Sequence, residues 1–597
     1  MSQVREQREA LLRRLPRLRI VFIVFLLCVG GRFWFVQGVR GAHYRELADN
    51  NRIRRLSVEA VRGLIFERKG DLLVENIPVY NLMIDRSRSR DLDQGLAFAA
   101  ATLEVPKTEL EEALKRKGNR SLFQPVLIAE ELTLSQVSRL SVSALEYPEF
   151  EIDVGHQRFY RFGSTTAHLL GYLGEVSDTD LQKEDSPYRP GDLVGRKGVE
   201  KTYDSSLRGL DGERVITVDS RGRLKEENQL DLATAGDALE IALDLELQQE
   251  AAQFLDGKEG AVIALDPQSG EVLVLLSAPS YNPNLFSRRL DREAWIELTE
   301  DPRTPMHNRA IQATYSPGSV FKVVMAIAGI SDKVVMPETT VYCPGATRIY
   351  NRRFRCWRRG GHGHVNMLKA IKESCDVYFY HLGKELGIER IAHYARLLGL
   401  GSKTGIEISG ENAGLVPDPD WSRRRRSTPW YPGETISVAI GQGPVLVTPL
   451  QMATMMATVA TNGHRVEPVL VQPDRKPRQE TISLDPRALE IVRQGLWEAV
   501  NVKKGTAYGS RIEGLDVYGK TGTAQVIRQE TWIKAEDLPY DQRDHAWFVS
   551  YAESGERQLV TAVFVEHGGH GSSAAAPLAK RLYEIYFRDI LDSSEPS

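Results

Sequence analysis

A turn that leads into an apolar helix is predicted at Tyr315-Ser316-Pro317-Gly318-Ser319-Val320-Phe321-Lys322. Pro317 and Gly318 favour a turn, and residues 323–328 are uninterruptedly apolar, as in a buried helix. Since residues three apart share one face of a helix, Lys322 can reach the hydroxyl of Ser319. A serine hydroxyl becomes a nucleophile when a neighbouring base takes its proton, and a lysine whose charged form is disfavoured by burial can be that base. The stretch therefore predicts a nucleophilic serine, unless Ser319 only caps the helix and Lys322 only extends to solvent.

Two later motifs favour the nucleophile. Ser374-Cys375-Asp376 is predicted to lie in a loop before a helix, and Lys520-Thr521-Gly522-Thr523 in a strand. A serine-x-x-lysine, a serine-x-polar residue and a lysine-threonine-glycine, in this order, are the motif set of serine enzymes that react with β-lactams. Each motif is common by chance, but together they indicate one catalytic site.

The N-terminal region is predicted to anchor the chain in a membrane. Several arginines in residues 5–19 precede an apolar run at 20–36 that contains VFIVFLLCV. Leu18 and Val39 extend this run to the ~20 residues that a bilayer requires. No small-x-small cleavage site follows, so an uncleaved anchor at 18–39 is preferred over a signal peptide. The positive-inside rule then puts residues 1–17 in the cytoplasm and the rest of the chain outside.

Length and composition predict two or three folded domains in the 597 residues. The net charge of −3 does not suggest a nucleic-acid partner. Residues 40–236 are polar, with glycines at regular turns and no acid–base constellation, and are predicted to form a strand-containing pedestal. Residues 237–597 are predicted to form an α/β domain, in which strands near 261–266, 271–276, 515–524, 545–552 and 559–566 make an antiparallel sheet flanked by helices.

Three cysteines outside the predicted membrane segment lie within a short window after the serine–lysine helix. They are Cys343, Cys356 and Cys375, and His362 and His364 lie in the same window. Three thiolates and an imidazole can make a closed tetrahedral zinc site of the structural kind. One disulfide with a free buried thiol fits the same residues, because three cysteines cannot all pair.

The three motifs and several further stretches resemble class B penicillin-binding proteins. The further stretches are Arg62-Gly63, Gly195-Arg196-Lys197-Gly198-Val199-Glu200-Lys201-Thr202-Tyr203, Ala264-Leu265-Asp266-Pro267 and Gly441-Gln442-Gly443. The resemblance covers almost the whole chain. It implies a membrane anchor, a pedestal of the dimerisation type, and a transpeptidase domain with the serine β-lactamase-like fold.

The middle motif resembles the elongation-specific members of that class. Asp376 stands where many other members have asparagine, and the stretch around it, Glu373-Ser374-Cys375-Asp376-Val377-Tyr378-Phe379-Tyr380, is of the elongation type. A structural zinc is known in that subfamily, so the resemblance implies Cys343, Cys356, His362 and Cys375 as ligands, with His364 as the competing imidazole. Since Cys375 lies within the middle motif, a zinc would also hold the loop of Ser374 and Asp376.

The resemblance further implies a peptidoglycan D,D-transpeptidase of cell elongation and rod shape, inhibited by β-lactams, with possible D,D-carboxypeptidase side activity. Ser319 would form the acyl ester with Lys322 as the general base, and Ser374 would pass a proton to the leaving amine. Lys520 with Thr521 or Thr523 would hold the substrate carboxylate, Gly522 completes the strand motif, and the N–H groups of Ser319 and Thr523 would bind the oxyanion. The role of Asp376 is open, because its charge would help to keep Lys322 protonated.

The implied location is the bacterial inner membrane, with the catalytic domain in the periplasm. The implied partners are stem peptides of the glycan made from lipid II, a RodA-like polymerase of the SEDS family and MreC-like proteins of the elongation complex. The rival functions are a β-lactam sensor or β-lactamase-like protein and a non-catalytic cell-wall scaffold. The first two do not need the pedestal, and a scaffold does not need three intact motifs.

Overall fold

The computed structural model describes the whole chain except residues 1, 43, 45–52, 117–124, 184–185, 219–223, 288–291, 472–477, 527–536 and 595–597. It contains two compact units. The smaller unit consists of residues 1–62, 78–156 and 208–236, and the larger unit of residues 63–77, 157–207 and 237–597.

This division differs from the single pedestal predicted at 40–236. Residues 63–77 and 157–207 belong to the larger unit because their apolar side chains lie in its core, among them Leu73, Tyr160, Leu170 and Val199. A segment joins the unit in whose core its apolar side chains are buried. The average composition of residues 40–236, which is polar, does not show this.

The N-terminal helix Ser2–Trp34 continues as a π-helical turn at Phe35–Val39. Within these two elements, Leu18–Val39 is long and apolar enough to cross a membrane. These are the bounds that the sequence predicted for the anchor.

The smaller unit combines short sheets with three helices around a separate apolar core. The strands Ile53–Val58, Gly212–Val218 and Leu224–Asp231 form an antiparallel sheet, and Val126–Ala129 pairs with residues 82–84 of the strand Leu72–Ile84. The helices are Leu92–Leu103, Lys107–Arg116 and Leu134–Val142. The first begins where Asp91 accepts hydrogen bonds from two backbone N–H groups, and the third begins at a capping box of Thr133 and Gln136.

The core of the larger unit is a five-stranded antiparallel sheet. In spatial order its strands are Val272–Ala278, Gly260–Leu265, Arg557–Val565, His545–Ser554 and Asp516–Ala524. Along the second strand Ala261, Ile263 and Leu265 join one apolar core while Val262 and Ala264 join another. Helices cover both faces of the sheet, and therefore this strand is apolar throughout instead of alternating with polar residues. The predicted sheet and fold class are confirmed.

Helices and short strands surround this sheet. The longer helices are Leu245–Phe254, Lys322–Ser331, Asp376–Leu397, Pro449–Ala460, Pro486–Asn501 and Ala576–Tyr586. The shorter helices are Ala167–Leu170, Asp178–Leu181, Gly198–Thr202, Asp204–Arg208, Arg292–Glu300, Met367–Lys372, Pro419–Arg426, Pro432–Val438, Gly571–Ala574 and Arg588–Ser594. The remaining strands are Ile65–Phe66, Leu173–Glu175, Leu193–Gly195, Leu239–Glu240, Val341–Cys343, Ala346–Ile349, Arg352–Arg355, Gly363–Val365, His464–Val466 and Gln479–Thr481, besides Phe150–Tyr160.

Candidate active site

Ser319 lies in a short 3₁₀ turn, Gly318–Phe321, that leads directly into the helix Lys322–Ser331. Gly318 has a φ of +54°, and a Cβ atom there would lie 2.6 Å from the carbonyl oxygen of Thr523. On its other side the N–H of Gly318 donates to Gly441 O at 3.0 Å. The absence of a side chain at Gly318 therefore lets the turn of Ser319 pack against the strand of the third motif.

The strand of the third motif makes the same kind of close approach. A Cβ atom on Gly522 would lie 2.9 Å from Val320 Cγ2 and 3.1 Å from Pro317 O. Gln442 Nε2 donates to Thr523 O at 3.2 Å, which ties the Gly441-Gln442 loop to the same strand. Gln442 belongs to the stretch Gly441-Gln442-Gly443, whose sequence predicted no role for it.

Lys322 is fully buried and its ammonium group faces the middle motif. Its Nζ donates to Asp376 Oδ1 at 2.6 Å, to Ser374 O at 2.9 Å and to Ser374 Oγ at 3.1 Å. Among the described residues, Ser319 Oγ is not a hydrogen-bond partner of Lys322, although the helical spacing predicted that Lys322 could reach it. The described side-chain partners of the ammonium group are Asp376 and Ser374.

Ser374 is the point at which the three motifs meet. Its Oγ accepts from Lys322 Nζ at 3.1 Å and from Lys520 Nζ at 2.9 Å. The residue has a φ of +55°, a backbone conformation that is unusual for a serine. Strained backbone of this kind is retained mainly where the surrounding structure requires one orientation of a side chain, which here is the Oγ between two lysines.

Lys520 is fully buried in the edge strand Asp516–Ala524. Burial holds the pKa of Lys520 well below its usual value, and the nearby charge of Lys322 lowers it further. Thr521 Oγ1 bonds to Thr506 Oγ1 at 3.0 Å, whereas the half-buried Thr523 has no side-chain hydrogen bond to a described residue. Thr523 is therefore the hydroxyl of this motif that is free for a ligand.

Asp376 is held from two sides. Its Oδ1 accepts from Lys322, and its Oδ2 accepts the backbone N–H of Trp357 at 2.8 Å. Burial raises the pKa of Asp376, and the charge of Lys322 opposes this increase. The Trp357 indole donates to Ser374 O at 3.0 Å and to Glu373 O at 3.1 Å. Trp357 was missed in the sequence, although its place beside Cys356 was a signal that could have found it.

Three cysteines and one histidine form a buried cluster. The ligand atoms of Cys343, Cys356, His362 and Cys375 all lie within 4.8 Å of one another. His362 Nδ1 lies 3.5 Å from Cys356 Sγ and 3.6 Å from Cys343 Sγ. Zinc bonds of about 2.3 Å to sulfur and 2.0–2.1 Å to nitrogen, at a tetrahedral angle, separate the two ligand atoms by about 3.6 Å. The donor set and its spacing fit zinc.

The competing residues of this cluster are separated by the fold. His364 is exposed and packs at a tilt against Tyr342, with ring centroids 5.2 Å apart. All four cysteines of the chain are free thiols in the structure. Hydrogen bonds from Cys375 and His362 lower the pKa of Cys356 to about 3, with burial acting in the opposite direction. Of the two imidazoles, only His362 faces the thiols.

A second polar network holds the residues directly before the turn of Ser319. Tyr315 OH donates to Glu566 Oε1 at 2.5 Å, and the buried Arg309 bonds to Glu566 at 2.7 Å and to Glu259 at 3.2 Å. Trp547 Nε1 donates to Ser316 O at 3.1 Å. These contacts come from distant parts of the chain, so no local pattern in the sequence indicated them.

Comparisons with known proteins agree with this geometry. A family model described as the penicillin binding protein transpeptidase domain matches residues 260–584, and one described as the penicillin-binding protein dimerisation domain matches residues 57–241. Peptidoglycan D,D-transpeptidase MrdA of Haemophilus influenzae is 34% identical, over 97% of this chain and 92% of that protein. MrdA of Escherichia coli K12 is 28% identical, over 96% of this chain and 94% of that protein.

Solved structures show the same relation. A complex between PBP2 and MreC from Helicobacter pylori has a TM-score of 0.81 at 29% identity, covering 90% of this chain and 99% of that one. Pseudomonas aeruginosa PBP2 in complex with WCK 5153 has a TM-score of 0.69 at 29% identity, covering 91% of this chain and 100% of that one. Motifs, fold and relatives all agree, and the chain therefore belongs to the class B penicillin-binding proteins, in their PBP2 subfamily.

Proposed function

We propose that Ser319, Lys322, Ser374 and Lys520 carry out acyl transfer at this site, with Asp376 as proton partner of Lys322. The chain is a serine-type peptidoglycan D,D-transpeptidase of cell elongation and a target of β-lactams. The observation that supports these roles best is the placement of Ser374 Oγ within hydrogen-bond distance of both Lys322 and Lys520. Three motifs far apart in the sequence thus meet at one hydroxyl group.

Acylation begins at Ser319, whose Oγ attacks the carbonyl carbon of the penultimate D-alanine in a stem peptide. Lys322 takes the hydroxyl proton after passing one of its own protons to Asp376, whose pKa is raised by burial. The tetrahedral oxyanion is stabilised by the N–H groups of Ser319 and Thr523, which the close packing of Gly318 on Thr523 brings together.

The leaving group departs when the peptide C–N bond breaks. Ser374 donates its hydroxyl proton to the amine of the terminal D-alanine and regains a proton from Lys322. Lys520 holds the substrate carboxylate together with Thr523. An amino group of a neighbouring stem peptide then attacks the ester carbonyl, the ester C–O bond breaks and the cross-link forms. The amine proton passes through Lys322 to Ser319 Oγ, and the proton on Asp376 returns to Lys322.

Covalent labelling tests this proposal on the wild-type chain. Incubation with a fluorescent penicillin should give one adduct on the tryptic peptide 310–322, which contains Ser316 and Ser319. Fragmentation of this peptide should place the adduct on Ser319. The ester should persist for hours, because Asp376, the carboxylate of the three motifs, is already bonded to Lys322 and to the Trp357 N–H. Turnover within seconds would instead indicate a β-lactamase, and absence of an adduct would reject the enzyme.

We further propose a structural zinc bound by Cys343, Cys356, His362 and Cys375. Bound zinc would fix Cys356 beside Trp357 and Cys375 beside both Ser374 and Asp376. The donor spacing supports this role, and a closed four-ligand site leaves no position for substrate.

Replacing Cys356 with serine is expected to remove the metal. The purified wild type should contain about one zinc per chain, and Cys356→Ser much less, because a closed site loses most of its affinity with a thiolate ligand. Elemental analysis checks this directly, and Cys28→Ser, which removes the thiol outside the cluster, is the matched control. A zinc-free wild type with a Cys343–Cys356 disulfide would reject the site.

We place the N-terminus in the cytoplasm and the catalytic unit in the periplasm, from the arginines before the anchor. Cleavage of a reporter fused to residue 1 by a protease added on the periplasmic side alone would contradict this orientation.

The partners we propose are a RodA-like polymerase and MreC-like proteins. A PBP2 relative was solved in complex with MreC, and another similar solved structure concerns a peptidoglycan synthase complex. Cross-linking in membranes that captures neither would contradict these partners.

A further inference from the structure

The hairpin of Ala346–Ile349 and Arg352–Arg355 lies in the insert between the first two motifs and is strongly basic. No aspartate or glutamate occurs from residue 339 to residue 372. This segment carries six exposed arginines: Arg348, Arg352, Arg353, Arg355, Arg358 and Arg359. We call the two strands and their arginines the arginine hairpin. A run of charge is usually just a solvated surface, so its meaning depends on how the side chains are arranged.

Two of these arginines face each other. Arg348 and Arg353 are direct cross-strand partners in the antiparallel register, so their side chains lie on the same face of the hairpin. Like charges in this position destabilise a strand pair. Neither residue forms an ion pair with a described acidic residue, whereas four other arginines of the larger unit do: Arg303, Arg309, Arg426 and Arg493. The hairpin therefore carries an uncompensated pair of cations.

A cavity lies between these two side chains and the start of the hairpin. Its volume is about 430 Å³, and it is lined by Pro344, Ala346, Thr347, Arg348 and Arg353. Two guanidinium groups at the wall of a cavity are suited to an anion with two oxygens, because each presents a planar fork of N–H donors. An anion there would also relieve the repulsion between the two arginines.

The arginine hairpin is fixed to the helix that starts at Asp376. Tyr380 OH donates to Arg355 O at 3.1 Å, and the rings of Phe354 and Tyr380 lie 5.3 Å apart. On the other strand, Thr347 Oγ1 and His381 Nε2 are 3.1 Å apart. These contacts hold the hairpin on the first turns of this helix, so its position relative to the middle motif is set by packing.

Arg353 is separated by only a short stretch of chain from a residue that contacts the middle motif. Trp357, which contacts Ser374 and Asp376, is four residues after Arg353 along the chain. Four residues span at most about 14 Å, and a stem pentapeptide in extended form spans about 17 Å. A stem peptide whose end lies at Ser319 can thus extend toward the arginine hairpin.

We infer that Arg348 and Arg353 bind a free carboxylate of a peptidoglycan stem peptide while the peptide reacts at Ser319. This rests on the proposed function and adds a substrate site to it. Stem peptides are favoured over anionic lipid headgroups because the hairpin is packed on the helix of the middle motif. The site selects peptides by charge and takes no part in bond making.

The test compares two double variants of the full chain in detergent micelles. Arg348→Gln/Arg353→Gln removes the cation pair, and Arg424→Gln/Arg425→Gln removes two exposed charges from the helix Pro419–Arg426 as a matched control. D-alanine release is measured with a stem pentapeptide carrying free carboxylates and with the same peptide after amidation of its side-chain carboxylates. The rate of acylation by fluorescent penicillin, which lacks the stem peptide, shows whether the catalytic centre is intact.

The hairpin variant should raise KM for the free peptide roughly 10-fold with kcat within about twofold, as expected for losing charge-assisted hydrogen bonds. It should leave KM for the amidated peptide and the penicillin acylation rate unchanged, and the control should resemble the wild type throughout. An unchanged KM for the free peptide would overturn the inference, and absence of penicillin acylation in the wild type would overturn the proposed function instead.

Arginine footprinting separates the two sources of the anion. Phenylglyoxal modification of Arg348 and Arg353 in the wild type is followed by mass spectrometry with the free pentapeptide or with phosphatidylglycerol in the micelles. Protection by the peptide is the expected result. Protection by phosphatidylglycerol without protection by the peptide would make the surface a lipid site and would also overturn the inference.

Discussion

Ser319→Ala is expected to lose all covalent labelling by penicillin while the protein stays folded. The hydroxyl is the only atom group removed, and Ser319 Oγ makes no hydrogen bond to a described residue, so the fold loses little with it. Loss of a catalytic nucleophile reduces turnover by up to about 10⁶-fold in serine hydrolases. The measurement is the rate of fluorescent-penicillin labelling, with the melting temperature as evidence of folding.

Ser316→Ala is the matched control for this prediction. Ser316 is three residues earlier in the same stretch, and its described contact, from Trp547, is to the backbone oxygen that alanine retains. Normal labelling of Ser316→Ala together with none of Ser319→Ala identifies the nucleophile. Persistent labelling of Ser319→Ala would mean that another group is acylated and that the assigned proton path is wrong.

Asp376→Ala is expected to have the largest effect on stability. Lys322 is fully buried, and Asp376 Oδ1, 2.6 Å from its Nζ, is the carboxylate that balances its charge. Removing one partner of a buried ion pair costs about 3–5 kcal/mol, because the remaining charge stays buried and unpaired. For a unit of this size the melting temperature should fall by roughly 5–10 °C. Calorimetry of the purified chain measures this fall.

A double variant separates the charge from other effects of the substitution. In Lys322→Met/Asp376→Ala the buried charge is absent as well, so much of the melting temperature should return, although acylation should remain lost. Asp516→Ala removes an exposed carboxylate that bonds to Trp497, and should lower the melting temperature only slightly. An Asp376→Ala variant as stable as Asp516→Ala would show that Lys322 is neutral in the resting protein.

The hydrogen-bond partners of Lys322 differ from the one that the sequence predicted. The helical spacing of Ser319 and Lys322 suggested a direct pair, yet Lys322 bonds to Ser374 and Asp376. Asp376, fifty-four residues further along the chain, accepts a hydrogen bond from the ammonium group at 2.6 Å. Asp376, whose role the sequence left open, bonds directly to Lys322, and this contact supports the proposal that it receives a proton from Lys322.

Much of this protein follows from the sequence alone. The order of the three motifs identified Ser319, Lys322, Ser374 and Lys520 as a set, and apolar runs predicted the five strands and the anchor. These features are local, since periodicity, turn residues and short motifs depend on neighbours in the chain. The spacing of cysteines and histidines indicated a cluster for the same reason.

Contacts between distant segments were decided only by the tertiary structure. It selected His362 over His364, placed Trp357 against Asp376, and assigned residues 63–77 and 157–207 to the larger unit. It also set Arg348 opposite Arg353. These outcomes depend on which side chains share a core or a register. Burial acts between segments that are far apart in sequence, and the register that sets Arg348 opposite Arg353 exists only once the hairpin has formed, so only the folded chain shows these results.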